Sequence, residues 1–207
     1  MCESCGVNFN KLGVPEEFRN FCLGTEKLFI IWQKVLDQGG YHEGDKVLIP
    51  FGGPGSMPIF FDSLGILTFS GDIRHATDYP NPIEGLERLR AKHGYAGADQ
   101  RFFAWDATKL PLAASSFKLA IVNPPYGINC PSEGDLMDLT IGSLLELKRV
   151  LAVDGRAYFV FPVNWASEFQ NRVSQEAQRM EINLLSMNIT SDPKSENPLC
   201  LIQAIKH

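Results

Sequence analysis

Val47-Leu48-Ile49-Pro50-Phe51-Gly52-Gly53-Pro54-Gly55-Ser56 is an apolar run that feeds a glycine-rich turn. Lys46–Pro50 reads as a short buried strand, and the segment through Phe60-Phe61 to Leu64 as the helix that follows it. Glycines at such a turn let the backbone approach a ligand where a Cβ would not fit. In open α/β sheets that ligand lies outside the carboxyl ends of the strands. A glycine-rich turn is also common for purely structural reasons, so its meaning depends on what the rest of the chain places beside it.

Working outward, Thr25-Glu26 caps a helix whose apolar residues Leu28, Ile31, Trp32, Val35 and Leu36 follow the i, i+3, i+4 rhythm, and Gly39-Gly40 ends it. Downstream, strands and helices alternate. Ile66–Ser70 is expected as a second strand, Pro82–Lys92 as a helix stopped by Gly94, Arg101–Trp105 as a third strand and Leu119–Asn123 as a fourth. A long helix from Leu136 to Leu151 is expected to end at Asp154-Gly155, followed by a strand at Arg156–Phe161 and a helix at about Ser167–Met180. Two closing runs, Ile182–Ile189 and Leu199–Ile205, have only turn chemistry between them and should pair as an antiparallel hairpin, since a parallel crossover needs more chain. The expected fold is α/β: a doubly wound, mostly parallel seven-stranded sheet with a C-terminal antiparallel hairpin. Residues 1–24 read as an N-terminal arm and 25–207 as one domain.

With 207 residues, 44% of them hydrophobic and 21% charged, the chain can bury one sizeable core. It shows no apolar run near the roughly 18 residues of a membrane span, and its first residues (MCESCGVNFN) lack the pattern of a secretory signal. An intracellular location, cytoplasmic or nuclear, with the five cysteines reduced, is the expectation. Cys2 and Cys5 are half of a zinc pattern with no second pair near them, and no metal is expected. The net charge of −5 argues against an extended basic surface, so any nucleic-acid contact must be local or supplied by a partner.

Chemistry-bearing residues stand at successive strand ends. Asp72 follows the second expected strand, seventeen positions beyond Gly55; it suits hydrogen bonds from ribose hydroxyls, or is simply a solvated turn residue. Asp106 follows the third, where it could accept from an adenine amino group, while Trp105 beside it either packs on the ring or fills core. The sharpest signal is Asn123-Pro124-Pro125-Tyr126-Gly127 after the apolar run Leu119–Val122. Two prolines fix the backbone and remove two N–H donors. The Asn123 side-chain oxygen and the Pro124 carbonyl can then both accept from one planar –NH2, while Tyr126 offers a face on which a base can stack.

Val47 to Ile205 resembles the RNA guanine-N2 methyltransferases, particularly catalytic domains of the THUMP-associated type within the class I S-adenosylmethionine-dependent enzymes. Their first motif, much like VLDPFCGSGT-PI, appears here as VLIPFGGPGSMPI, and their fourth, NPPYG, is intact. The resemblance implies that S-adenosylmethionine is held by Pro50, Gly52, Gly53, Gly55, Asp72, Asp106, Ala107 and Asn123. It also implies that Asn123, Pro124, Pro125 and Tyr126 hold the target amine, most specifically guanine N2 of a tRNA or snRNA. Adenine N6, a protein glutamine, or a catalytically inactive binding subunit of the same fold are the alternatives. Two departures stand out. The family's acid in the first motif, which usually organises the cofactor loop, is Ile49 here, and its serine is Pro54. The stretch before the first strand is too short for a THUMP domain, so an RNA-binding domain elsewhere or a small zinc-binding activator subunit is the expected partner; no membrane is.

Overall fold

The structure is a computed structural model that describes residues 25–38, 41–53, 56–73, 102–126, 135–180, 182–188 and 199–206. In chain order the elements are α1 (Thr25–Asp37), β1 (Val47–Ile49), α2 (Ser56–Ser63), β2 (Thr68–Asp72), β3 (Phe102–Ala104), β4 (Phe117–Val122), α3 (Leu136–Val150), β5 (Leu151–Pro162), α4 (Val163–Met180), β6 (Ile182–Asn188) and β7 (Leu199–Lys206). The strands form one sheet in the order β3-β2-β1-β4-β5-β7-β6. All neighbours from β3 to β5 pair in parallel, whereas β7 runs antiparallel to both β5 and β6. The doubly wound sheet with its closing hairpin is thus as expected.

The continuous apolar character of the central strands has a simple cause: both faces are covered. Leu48, Ala120, Val122, Ala157, Phe159 and Phe161 point to one side, where Met137, Leu144 and Leu147 of α3 and Ala166, Phe169 and Val173 of α4 complete the core. Val47, Ile49, Leu119, Ile121, Tyr158 and Val160 point to the other, against Ile31, Trp32 and Val35 of α1 and Met57, Phe60 and Phe61 of α2. The alternation follows from the two-residue period of a strand.

Several boundaries differ from the sequence reading. β2 begins at Thr68 because Gly65 (φ +75°) turns the chain and the Ile66 N–H caps the Phe61 carbonyl at 3.0 Å; it runs on through Asp72, which pairs with Ala104. Asp154-Gly155 does not end a helix. The α3 helix stops at Val150 and β5 starts at once, with three extra residues accommodated between the pairs Phe117–Leu151 and Leu119–Arg156. Asp154, at φ +61°, sits in that bulge, and a Cβ on Gly155 would lie 2.7 Å from the Ala152 carbonyl oxygen. Helix α4 begins directly after Pro162, four residues before the expected Ser167, because Ala166, Phe169 and Val173 form one buried stripe that includes its first turn. Leu36, the last of the apolar residues in the α1 rhythm, is 39% exposed. The arm 1–24, Gly39-Gly40, Pro82–Lys92 with Gly94, and the turn between β6 and β7 lie outside the described residues. Among the described residues no helix is long and apolar enough to cross a membrane.

At the start of α3, Asp135 accepts the N–H groups of Met137 (2.8 Å) and Asp138 (3.2 Å). Arg172 of α4 reaches back to pair with Asp135 (3.6 Å) and with Asp138. The Asp138 N–H, then that of Met137, holds the Asp135 carboxyl below its ordinary range. A depressed folded-state value stabilises the fold above the unfolded value, near 3.9, and the gain is lost as pH falls through the folded one. Asp135→Ala should therefore lower the melting temperature at pH 7, and the difference from wild type should shrink as pH drops below about 4, as read by far-UV circular dichroism. A gap independent of pH would show that the cap does not act through its charge.

Candidate functional site

β1 and β4 lie side by side at the centre of the sheet, but the chain leaves them in opposite directions, toward β2 and toward β5. Where strand order reverses in this way the two connections part and leave a crevice at the strands' carboxyl ends. Pro50–Gly53 and Asn123–Tyr126 flank that crevice; Asp72 and Asp106 follow on the neighbouring strand ends.

The turn after β1 is tied down from the side. The Gly52 N–H donates to the Gly71 carbonyl at 2.7 Å, and the Gly53 N–H to Asp72 Oδ2 at 2.9 Å, with Gly53 at φ +50°. Trp105 Nε1 donates to the Pro50 carbonyl at 2.9 Å, while the Trp105 backbone N–H donates to the Asp72 carbonyl at 3.1 Å. The indole is 5% exposed and stacks on Phe103 with centroids 5.3 Å apart. Trp105 is therefore core, and a brace beneath the loop. It lies against Gly71, where a Cβ would come within 2.6 Å of the ring and 2.3 Å of the Phe103 carbonyl oxygen. Only glycine lets the indole reach Pro50.

The position that carries an acid in the resembling family, Ile49, is fully buried among Trp32, Val35, Phe60 and Phe61 side chains on the α1/α2 face. The work of ordering the turn falls instead to Asp72, whose carboxylate takes the Gly53 N–H. Asp106 spends one oxygen locally: Oδ1 accepts from the Thr108 N–H (2.8 Å) and hydroxyl (2.7 Å), which fixes the carboxylate in a tight turn. Beyond it, Arg149 of α3 donates to the Leu110 and Leu112 carbonyls, so this basic residue holds the loop as well as opposing the helix dipole.

Two candidates change character. Ala107 is 4% exposed, so it can offer a ligand little beyond backbone, and the buried Pro50 already has its carbonyl engaged by Trp105. Gly55 and Pro54 lie outside the described residues, as does Gly127.

At the end of β4, Asn123 is half-buried, yet its Oδ1 is cut off from solvent and has no hydrogen-bond partner among the described residues. Pro124 is buried, and Pro125 and Tyr126 are half-buried. The Tyr126 ring meets Trp165, in the first turn of α4, edge to face with centroids 6.5 Å apart. Gly71 and Trp165 are contributors that the sequence reading missed. A glycine inside a strand pattern was the available signal for the first. For the second it was a tryptophan just past the apolar run of β5. Among the described residues no group of three His, Cys, Asp or Glu side chains could hold a metal ion.

A family model for RMKL-like methyltransferase domains matches residues 86–190, just over half of the chain. An rRNA methylase from Streptococcus thermophilus superposes with a TM-score of 0.56 at 12% identity, covering 87% of this chain and 94% of the other. A protein of the methyltransferase class from Streptococcus mutans, solved in complex with SAH, gives 0.58 at 9% identity over 83% and 97%. A tRNA methyltransferase from Aquifex aeolicus gives 0.58 at 11% identity over 90% and 70%. At such identities these likenesses show the fold. No curated protein sequence matches the chain.

Gly71→Ala should push Trp105 away from Pro50 and cost about 1–3 kcal/mol, the range for overpacking a well-filled site. Urea unfolding followed by tryptophan emission reads both effects. An unchanged midpoint would mean that the indole can yield without loss.

Proposed function

Because the chain belongs to the family of RMKL-like methyltransferase domains, we propose that it transfers the methyl group of S-adenosylmethionine to an exocyclic amino nitrogen, guanine N2 in RNA. The observation that carries this reading is Asn123 Oδ1: an acceptor shut away from water with no partner among the described residues, at the crevice end of β4. A buried acceptor left unmade costs about 1–3 kcal/mol, and such an atom in a native fold calls for an explanation. A planar –NH2 supplies the missing donor. The two prolines that follow bring carbonyls and no competing N–H, and Tyr126 supplies a ring beside them.

The cofactor contributes an electrophilic methyl group on a sulfonium sulfur. The chain contributes placement. The backbone of Gly52 and Gly53 leaves room at the crevice. Asp72, which orders the turn through the Gly53 N–H, would hold the ribose hydroxyls, and Asp106, with Oδ1 taken by Thr108, would offer Oδ2 to the adenine amine. Exposed Ile73, directly after Asp72, adds an apolar surface for the adenine ring. Asn123 and the Pro124 carbonyl would take the amine hydrogens, which aims the nitrogen lone pair at the methyl carbon and stabilises the positive charge that grows on nitrogen. As the C–N bond forms the C–S bond breaks with its electron pair going to sulfur, S-adenosylhomocysteine leaves, and the nitrogen gives up one proton to water. A structural neighbour solved with SAH supports the cofactor, and neighbours named as rRNA and tRNA methyltransferases support RNA as the acceptor. Asp72 holding the turn through the Gly53 N–H, with Ile49 at the first-motif position, favours an active enzyme over a silent binding subunit.

Residues 25–207 act as the methyltransferase domain in this reading. A net charge of −5 means that a separate RNA-binding domain or a small zinc-binding activator subunit provides most of the phosphate contacts, in the cytoplasm or nucleus where the RNA is found.

Asp72→Ala should weaken S-adenosylmethionine binding by about 1–3 kcal/mol in calorimetry, the range for hydrogen bonds to a charged group. Wild-type protein that binds neither the cofactor nor its demethylated product would sink the enzyme reading.

Asn123→Ala should lower kcat by roughly 10²–10³-fold, the usual loss for one preorganised polar contact, with cofactor affinity and melting temperature nearly unchanged. Tyr126→Ala should raise KM for the acceptor, and Tyr126→Phe should keep most activity. Labelled-methyl transfer to total RNA and total protein, followed by nucleoside analysis, identifies the acceptor. An Asn123→Ala enzyme with unaltered kcat would end the amine mechanism.

A further inference from the structure

Trp165 has no part in the site as read from sequence, yet the sheet brings it to the acceptor side of the crevice. β4 and β5 are paired in parallel up to Val122 and Phe159, so Asn123–Tyr126 leave β4 beside the last residues of β5, which stays in the sheet through Pro162. β5 then passes into α4 with no intervening loop. Ala166 is 5% exposed and Phe169 is fully buried, its ring 5.1 Å and 4.8 Å from those of Phe159 and Phe161. The first turn of α4 is thereby anchored, and Trp165 is held in place beside its anchor. Of the three tryptophans, Trp32 and Trp105 are buried, each 5% exposed, while Trp165 is only partly covered.

Its ring meets Tyr126 at 67°. Two rings stacked in parallel would hide a face of each. Two rings set steeply form a corner, in which a flat ligand can lie on one wall while its edge meets the other. Asn123, whose Oδ1 has no partner among the described residues, stands three residues before Tyr126. A primary amide side chain has no ring to place against two aromatic walls; a purine has both the ring and the amine.

We propose that Trp165 is a substrate-binding residue that, with Tyr126, receives the acceptor as a flat nucleobase and selects nucleobases over amide side chains. This rests on the methyl-transfer reading above and deepens it. The base enters unstacked from its neighbours, and the aromatic corner replaces the stacking it has lost.

The test combines fluorescence and kinetics. With S-adenosylhomocysteine saturating, a guanine-containing oligoribonucleotide at low salt should quench tryptophan emission in wild type, and Trp165→Phe should abolish that quench while Trp32 and Trp105 remain. In methyl-transfer assays Trp165→Ala should raise KM for the same RNA by about 10–100-fold, the range expected for loss of one stacking platform, with kcat within about threefold. Trp165→Phe should restore KM. Melting curves and S-adenosylhomocysteine calorimetry on both variants check that fold and cofactor site are intact. Absence of the wild-type quench, or a Trp165→Ala enzyme with unchanged KM, overturns the proposal. So does transfer to a glutamine-containing peptide that Trp165→Ala leaves untouched. If the oligoribonucleotide quenches Trp165 but no cofactor binds, the aromatic corner stands and the methyl-transfer reading falls.

Discussion

The hydrogen bonds that hold the turn after β1 against its neighbours decide how the crevice is built. A three-residue strand pairs through few groups of its own, and beyond Ile49 the chain has no ladder to follow. Gly52 N–H to Gly71, Gly53 N–H to Asp72 and Trp105 Nε1 to Pro50 replace that ladder with ties to β2 and to the segment after β3. Each tie depends on another. Trp105 reaches Pro50 only across Gly71, and Asp72 is placed for Gly53 because β2 continues to its last residue in register with β3. The loop is therefore a property of three strands rather than of its own glycines.

The same logic explains how an apolar residue can stand at position 49. Strand alternation sends Ile49 to the α1/α2 face, where it joins a buried apolar cluster; a carboxylate buried there would need its own donors. Asp72 lies at the crevice end of the adjacent strand, is half-buried, and accepts the Gly53 N–H.

On the other side of the crevice rigidity comes from apolar packing. β5 ends in Pro162 and α4 begins with the next residue, so Phe169 and Val173 pull the first turn of the helix against the sheet. Asn123, Pro124 and Tyr126 leave β4 beside it. Of the polar groups there, Asn123 Oδ1 stays without a partner among the described residues, an arrangement that folding alone does not reward.

The fold class, the closing hairpin and the strand ends that bear Asp72, Asp106 and Asn123 were legible in the amino-acid sequence, because local periodicity and turn chemistry report burial and chain reversal directly. The boundaries of β2 and β5 were not: Gly71-Asp72 looks like a turn signal that cross-strand pairing overrode, and β5 opens with a bulge at Ala152–Gly155 before regular pairing resumes at Arg156. The roles of Trp105 and Trp165 were equally out of reach. One tryptophan became a buried brace and the other a half-buried partner of Tyr126 because of what lies next to each in space, at Gly71 and Pro50 for the first and Tyr126 for the second. Sequence alone determined which residues stand at the strand ends, since that is a matter of local pattern. Tertiary structure decided which of their atoms are engaged by the protein itself, such as Asp72 Oδ2 and Asp106 Oδ1, since hydrogen-bond partners come from segments that the linear pattern does not connect.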